Sequence, residues 1–128
     1  MEHRKVLADT SIVIDHLRKS NKSASALFKS IDEYELSISA VSIFELYAGA
    51  TDERKKTDIA NTLSAFETLP FTHDIAVKAG ELYIALKKSN RIIEVKDIFI
   101  AATAIVYDIP VFTLNKKHFE RLEGVSLV

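Results

Sequence analysis

Three acidic residues stand where chemistry could gather. Asp9 directly follows the short apolar run Val6–Ala8. Glu45 lies in an apolar segment after Leu36–Ala40. Asp97 immediately precedes Ile98–Val106, the most apolar stretch of the chain. Each has a purely structural explanation as well. A carboxylate at a helix start is stabilised by free amide donors, and Ser42 with Glu45 has the spacing of a capping box. At one edge of one sheet, however, three carboxylates repel one another unless a cation binds them. Hard oxygen ligands select Mg²⁺ or Mn²⁺, which keep several waters and complete their shell with substrate phosphate. Such a centre activates water for attack on phosphorus and stabilises the leaving oxygen. Asn115, in VFTLN, could bind a metal-held water through its amide oxygen without adding charge; its structural alternative is a turn or cap residue. Thr113 could orient Asn115 or hydrogen-bond an acid, and the hydroxyls of Thr10 and Ser11 could hold a neighbouring carboxylate or water.

Other chemistries find less support. The chain has no cysteine, which removes thiol nucleophiles, iron–sulfur clusters and cysteine-ligated zinc. His3, His16, His73 and His118 lack metal-ligand spacing, and His118 reads as a surface or packing residue rather than a general base. No GxGxxG, GxxxxGK[ST] or GxSxG string is present, so nucleotide cradling and a serine elbow are unsupported.

The elements that must position these acids follow from hydrophobic period. Val6–Ala8, Leu36–Ala40 and Val111–Thr113 read as strands, Val125–Val128 as a terminal edge strand, and Thr68–Phe71 as a weaker candidate because Pro70 cannot donate to a ladder. Helical spacing is seen at Ile12, Asp15 and His16; at Ala24, Leu27, Phe28 and Ile31; and at Ile59, Leu63 and Phe66. A further helix is capped at Ser42 and ended by Gly49. A long one carries Ile75, Ala79, Leu82 and Leu86, with Thr72 as its cap. The segment after Asp97 is apolar on nearly all sides and should be central. Short strands alternating with helices predict an α/β domain with a parallel sheet, and 128 residues suit one domain, residues 1–128.

A formal charge of −1 argues against a sequence-independent basic coat and leaves room for a local basic rim. Arg18, Arg91, Lys116 and Lys117 are its candidates, the two lysines first. No signal peptide is visible and no apolar run is long enough to span a bilayer. Together with the missing cysteines this suggests a reducing, cytoplasmic setting. Apolar side chains at Phe44, Leu46 and Tyr47, at Ile59, Leu63 and Phe66, and at Leu82, Tyr83 and Leu86 exceed what so small a domain readily buries, so part of them should serve an interface.

Three strings carry a resemblance: LADTSIVIDHLR, SAVSIFELYAG and VKDIFIAATAIVYDIPVFTLNKKHFERLEGVSLV. In order, spacing and total length the chain resembles the PIN-domain ribonucleases, specifically the VapC-type toxins of toxin–antitoxin pairs. The resemblance implies a three-layer α/β/α fold with a central, mostly parallel sheet. It implies that Asp9, Glu45 and Asp97 are the core acids and metal ligands, with Asn115 at the fourth position. It implies Mg²⁺, with Mn²⁺ as a substitute, and RNA phosphodiester cleavage by a homodimer restrained by a cognate antitoxin, away from any membrane. Asp15 is similar to a second N-terminal acid of the family and is taken as peripheral, facing solvent or pairing with Arg18. The chain departs from the common form between Lys87 and Lys96, where a glycine often stands in place of Ser89 or Asn90.

Two other readings remain open on sequence. One is a PIN-like nuclease in RNA processing or acting on structured DNA. The other is a catalytically inactive α/β protein that only binds a partner. A receiver-like phosphoacceptor domain would need paired N-terminal acids and a strand-end lysine, a pattern this chain does not show.

Overall fold

The computed structural model describes residues 3–91 and 93–128. In chain order the elements are β1 (Arg4–Ala8), α1 (Thr10–Arg18), a 3₁₀ turn (Lys22–Ala24), α2 (Ala26–Ser30), β2 (Tyr34–Ser39), α3 (Ala40–Ala48), α4 (Glu53–Leu63), β3 (Glu67–Leu69), α5 (His73–Lys88), α6 (Val95–Tyr107), β4 (Val111–Phe112) and α7 (Lys116–Glu120). The strands lie in the order β3-β2-β1-β4, and every described pairing is parallel. Parallel strands must be covered on both faces, and the run Val6, Leu7 and Ala8 meets that demand with no solvent exposure.

Alternate strand residues face opposite layers. Leu7, Leu69 and Val111 pack with Ile75, Ala79 and Leu82 of α5, Ile98 and Ile100 of α6, and Phe119 and Leu122 at the chain's far end. Val6, Ala8 and Leu36 turn the other way onto Ile12 and Leu27. Val13, Ile38, Leu46 and Ile59 extend that second layer under α3 and α4. The result is the expected three-layer α/β/α arrangement. Register places Ala8 opposite both Ile38 and Phe112. The residues that follow these strands therefore emerge together at one edge of the sheet, where open parallel sheets place their functional groups.

Several local expectations are corrected. The second strand starts earlier and ends at Ser39, because Ser39 rather than Ser42 caps α3: its hydroxyl accepts from the Val41 amide at 3.1 Å. Ser42 is instead buried inside the helix. The helix expected around Ala24–Ile31 is split, since Ser25 caps a new start by accepting from the Phe28 amide. Phe66 lies beyond α4 yet still packs on the core. The weak strand candidate is β3, ended before Pro70. The terminal strand is reduced to one parallel bridge between Leu127 and Val111. Asp97 is not the residue before its helix; α6 begins at Val95, and Asp97 lies in its first turn. Thr72 caps α5 as expected, through the Ile75 amide. Asn90 adopts φ 58°, a left-handed conformation that asparagine tolerates better than most residues, so the turn forms without the glycine. Among the described residues no helix is long and apolar enough to cross a membrane.

Candidate functional site

Asp9 leaves the end of the central strand, and its amide donates to the Phe112 carbonyl of β4 at 2.8 Å. The residue is 4 % exposed. Its Oδ2 accepts from the Thr113 hydroxyl at 2.8 Å and the Ser11 hydroxyl at 2.9 Å. Asp9 is also the N-cap of α1, but its side chain makes no capping bond, so the carboxylate is committed to the hydroxyls. The same Ser11 oxygen accepts from the Leu114 amide, and Thr113 Oγ1 accepts from the Asn115 amide at 2.9 Å. These contacts tie the turn after β4 to the first turn of α1.

Glu45 lies on α3, half-buried. Thr10 Oγ1 shares its proton between Glu45 Oε1, at 2.9 Å, and Ser42 Oγ, at 2.8 Å. The capping box expected for Ser42 and Glu45 is therefore replaced by a bridge from α1. The other oxygen of Glu45, Oε2, meets Lys96 Nζ at 3.0 Å. This contact holds the Lys96 ammonium protonated to a higher pH than usual, outweighing the cost of its partial burial.

Asp97 is 4 % exposed. Burial pushes its carboxyl pKa up, the nearby charge of Asp9 pushes it further, and His118 and Lys96 offset part of the rise. Its Oδ2 faces His118 Nδ1 at 3.1 Å. Asn115 is exposed, precedes α7 without a side-chain capping bond, and lines a groove with Ser11, Ile14, Arg18 and Leu114.

The donor set suits a hard divalent cation: buried carboxylates on neighbouring elements, with Asp97 strained electrostatically by Asp9. The expected convergence is only partial. Among the described residues no three histidine or acidic side chains are grouped closely enough to hold a metal. Each carboxylate is held by its own partners, hydroxyls for Asp9, Thr10 and Lys96 for Glu45, and the imidazole for Asp97.

Sequence reasoning anticipated a supporting role for Thr10, Ser11 and Thr113. It did not single out Lys96, and it took Ser42 as a cap rather than as an acceptor for Thr10; His118, read as a surface or packing residue, is exposed and in addition meets Asp97 through Nδ1. Asp15 does not pair with Arg18. Its Oδ2 accepts from the Ala26 amide at 3.0 Å, and Oδ1 lies 3.6 Å from Lys19. Of the basic candidates, Arg91 and Lys117 share a groove with Arg121, and Arg18 borders the groove beside Asn115.

The PIN-domain family profile matches residues 6–125. The chain is 32 % identical to Ribonuclease VapC1 of Methanocaldococcus jannaschii, over 98 % of this chain and 87 % of that protein. This chain belongs to the PIN-domain family, in its VapC branch. It is also 35 % identical to Ribonuclease VapC10 of Mycobacterium tuberculosis, over 94 % of this chain and 90 % of that protein. Among solved structures its fold is similar to VapBC2 from Rickettsia felis bound to a promoter DNA fragment, at 24 % identity and TM-score 0.83, covering 97 % of both chains. FitAcB from Neisseria gonorrhoeae is similar at TM-score 0.75 and 24 % identity, with 96 % of each chain covered. Within this VapC branch the matched span runs from β1 to just beyond α7, so every candidate site residue lies inside it.

Proposed function

We propose that the protein is a metal-dependent endoribonuclease, the toxin of a toxin–antitoxin pair. The observation that carries this reading is the pairing of two buried carboxylates, Asp9 and Asp97; burial raises the pKa of Asp97, and the charge of Asp9 adds to the rise. Membership of the VapC branch supports the choice of RNA. Asp9, Glu45 and Asp97 would hold Mg²⁺ or Mn²⁺, with Asn115 contributing through its neutral amide. When bound, the cation supplies Lewis-acid stabilisation of charge on the scissile phosphate. The chain's own residues prepare the place. Thr113 and Ser11 fix one oxygen of Asp9, and Thr10 fixes one oxygen of Glu45. Lys96 supplies positive charge beside Glu45 in the metal-free protein. Arg91 and Lys117 offer phosphate contacts.

The antitoxin is the proposed inhibitor. A groove lined by Ile14, Leu17, Leu46 and Ile59 has a mixed polar margin, with the acids Glu45 and Asp58 beside the cations Arg18 and Lys55. It suits a partner segment with apolar anchors and one basic side chain, arginine for preference because its fork matches a carboxylate. A second apolar surface, with Phe71, Gly80, Tyr83, Val95 and Phe99 between α5 and α6, is proposed as the homodimer face.

Purified protein should cleave RNA with Mg²⁺ or Mn²⁺ and stop on chelation. Asp97→Asn should abolish cleavage while leaving the circular dichroism spectrum unchanged. A folded Asp97→Asn protein with full activity refutes the mechanism. Added metal should also weaken inhibition in the preformed antitoxin complex; inhibition indifferent to metal would place the partner away from the acids.

A further inference from the structure

We infer that His118 is a positioning residue for Asp97: its Nδ1 holds Oδ2 of the carboxylate and thereby sets how Asp97 presents its other oxygen to a divalent cation. The inference rests on the metal-dependent reading above and adds a residue to it.

α7 is five residues long and follows Asn115 directly. The His118 amide donates to the Asn115 carbonyl at 3.0 Å, closing a tight turn. Immediately after the histidine, Phe119 is 1 % exposed and packs in the same cluster as Ile98, Ala101 and Ala102 of α6. Leu122 adds a second anchor one turn on. The backbone that carries the ring is thus pinned to the helix that carries Asp97, although His118 itself is 52 % exposed.

Asp97 needs such a partner. Its carboxylate is buried next to another acid, and like charges favour rotation of one group away from the other. Among the described residues His118 is the only side chain that hydrogen-bonds it, and the contact reaches Oδ2 alone. An ionised carboxylate can only accept, so Nδ1 carries the proton, as it does in either the neutral δ tautomer or the cation. The restraint therefore does not depend on the charge of the ring. Oδ1 is left without a side-chain donor and is available to a cation. The pair borders a groove with Ile93, Glu94 and Arg121, which gives an ion a route from solvent. Groups that orient a metal-binding side chain act in this way on affinity as well as rate.

Mn²⁺ titrated calorimetrically into the full chain distinguishes the possibilities without an activity assay. His118→Ala should raise the Mn²⁺ dissociation constant by about 10- to 100-fold. His118→Asn, whose amide nitrogen can stand at the Nδ1 position, should restore binding close to wild type. Thermal melts without metal check that all three proteins fold. If the wild type binds Mn²⁺ and His118→Ala binds it equally well, the positioning role is wrong while the metal reading stands. An Asn variant as weak as the Ala variant also overturns the donor role. A wild type that binds no Mn²⁺ overturns the metal reading itself.

Discussion

Thr113 and Asp9, 104 positions apart in sequence, are joined by a hydroxyl-to-carboxylate hydrogen bond of 2.8 Å between two buried side chains. The bond closes the seam between β1 and β4 at the edge where the acids collect. Thr113 Oγ1 also accepts from the Asn115 amide, so one hydroxyl organises two proposed ligand residues.

Thr113→Val keeps the shape and removes the hydroxyl. It should cost about 1–3 kcal/mol by leaving a buried carboxylate oxygen short of a donor. RNA cleavage should fall about 10- to 100-fold, as for other loosened metal ligands. Thr113→Ser should restore both. Chemical denaturation alongside initial cleavage rates would check this, and a Val variant that matches wild type in both would remove the bond from the account.

The pKa of Asp97 is raised in the folded protein by burial and by Asp9, which fixes the sign of a pH effect. The folded state binds this proton more tightly than the unfolded chain does. The resulting stability is fully present below the ordinary aspartate range and is lost as pH rises through the raised value. Asp97→Asn abolishes that loss, so without metal the variant should melt higher than wild type at neutral pH, with the difference shrinking in acid. Melting curves at pH 4 and pH 7 supply the comparison; a variant less stable at neutral pH contradicts the electrostatic reading.

The basic rim can be divided experimentally. Arg91 and Lys117 border a shared groove, whereas Lys116 is exposed at the first position of α7. Neutralising Arg91 and Lys117 together should reduce the slope of log affinity for single-stranded RNA against log salt by about 1.4, at roughly 0.7 per lost phosphate contact. Lys116→Gln alone should leave the slope nearly unchanged. Equal effects from Lys116 would shift the RNA path toward the start of α7.

Ser37 is fully buried in β2, and among the described residues its hydroxyl is the buried side-chain atom without a hydrogen-bond partner. Its neighbour in the ladder is Leu7, which faces the α5–α6 layer. Ser37→Ala should therefore stabilise the fold by about 1 kcal/mol, raising the melting temperature by roughly 3–5 °C. A lower melting temperature would show that the hydroxyl is satisfied in solution.

Asp9 and Asp97 were legible in sequence because each is tied to a local signal, the end of an apolar run or the start of an apolar helix, and Glu45 because it is an acid among apolar neighbours on the helix after β2. The stripe Ile75, Ala79, Leu82 and Leu86 was equally plain, and all four are buried. What escaped was set by tertiary contact. Ser39 and Ser42 are both plausible caps, and only the bridge from Thr10 shows why Ser42 belongs inside the helix. The contacts of Lys96 with Glu45 and of His118 with Asp97 span 51 and 21 positions. No periodicity encodes them. The separate anchoring of the three carboxylates was likewise hidden, since it depends on which hydroxyl or cation the fold brings to each.

The sheet order has a consequence for how the protein is made. β4 is drawn late from the chain, yet it lies against β1, the first strand. While a ribosome is still synthesising α5, the nascent protein holds Asp9 and Glu45 but lacks Asp97, the Thr113 hydroxyl and the α7 anchor. Domains form as units during synthesis, and here the unit cannot close until the segment through Phe119 and Leu122 has emerged. A chain that stops before β4 lacks Thr113, Asn115 and the Phe119 and Leu122 anchors, so the proposed centre cannot be completed in it.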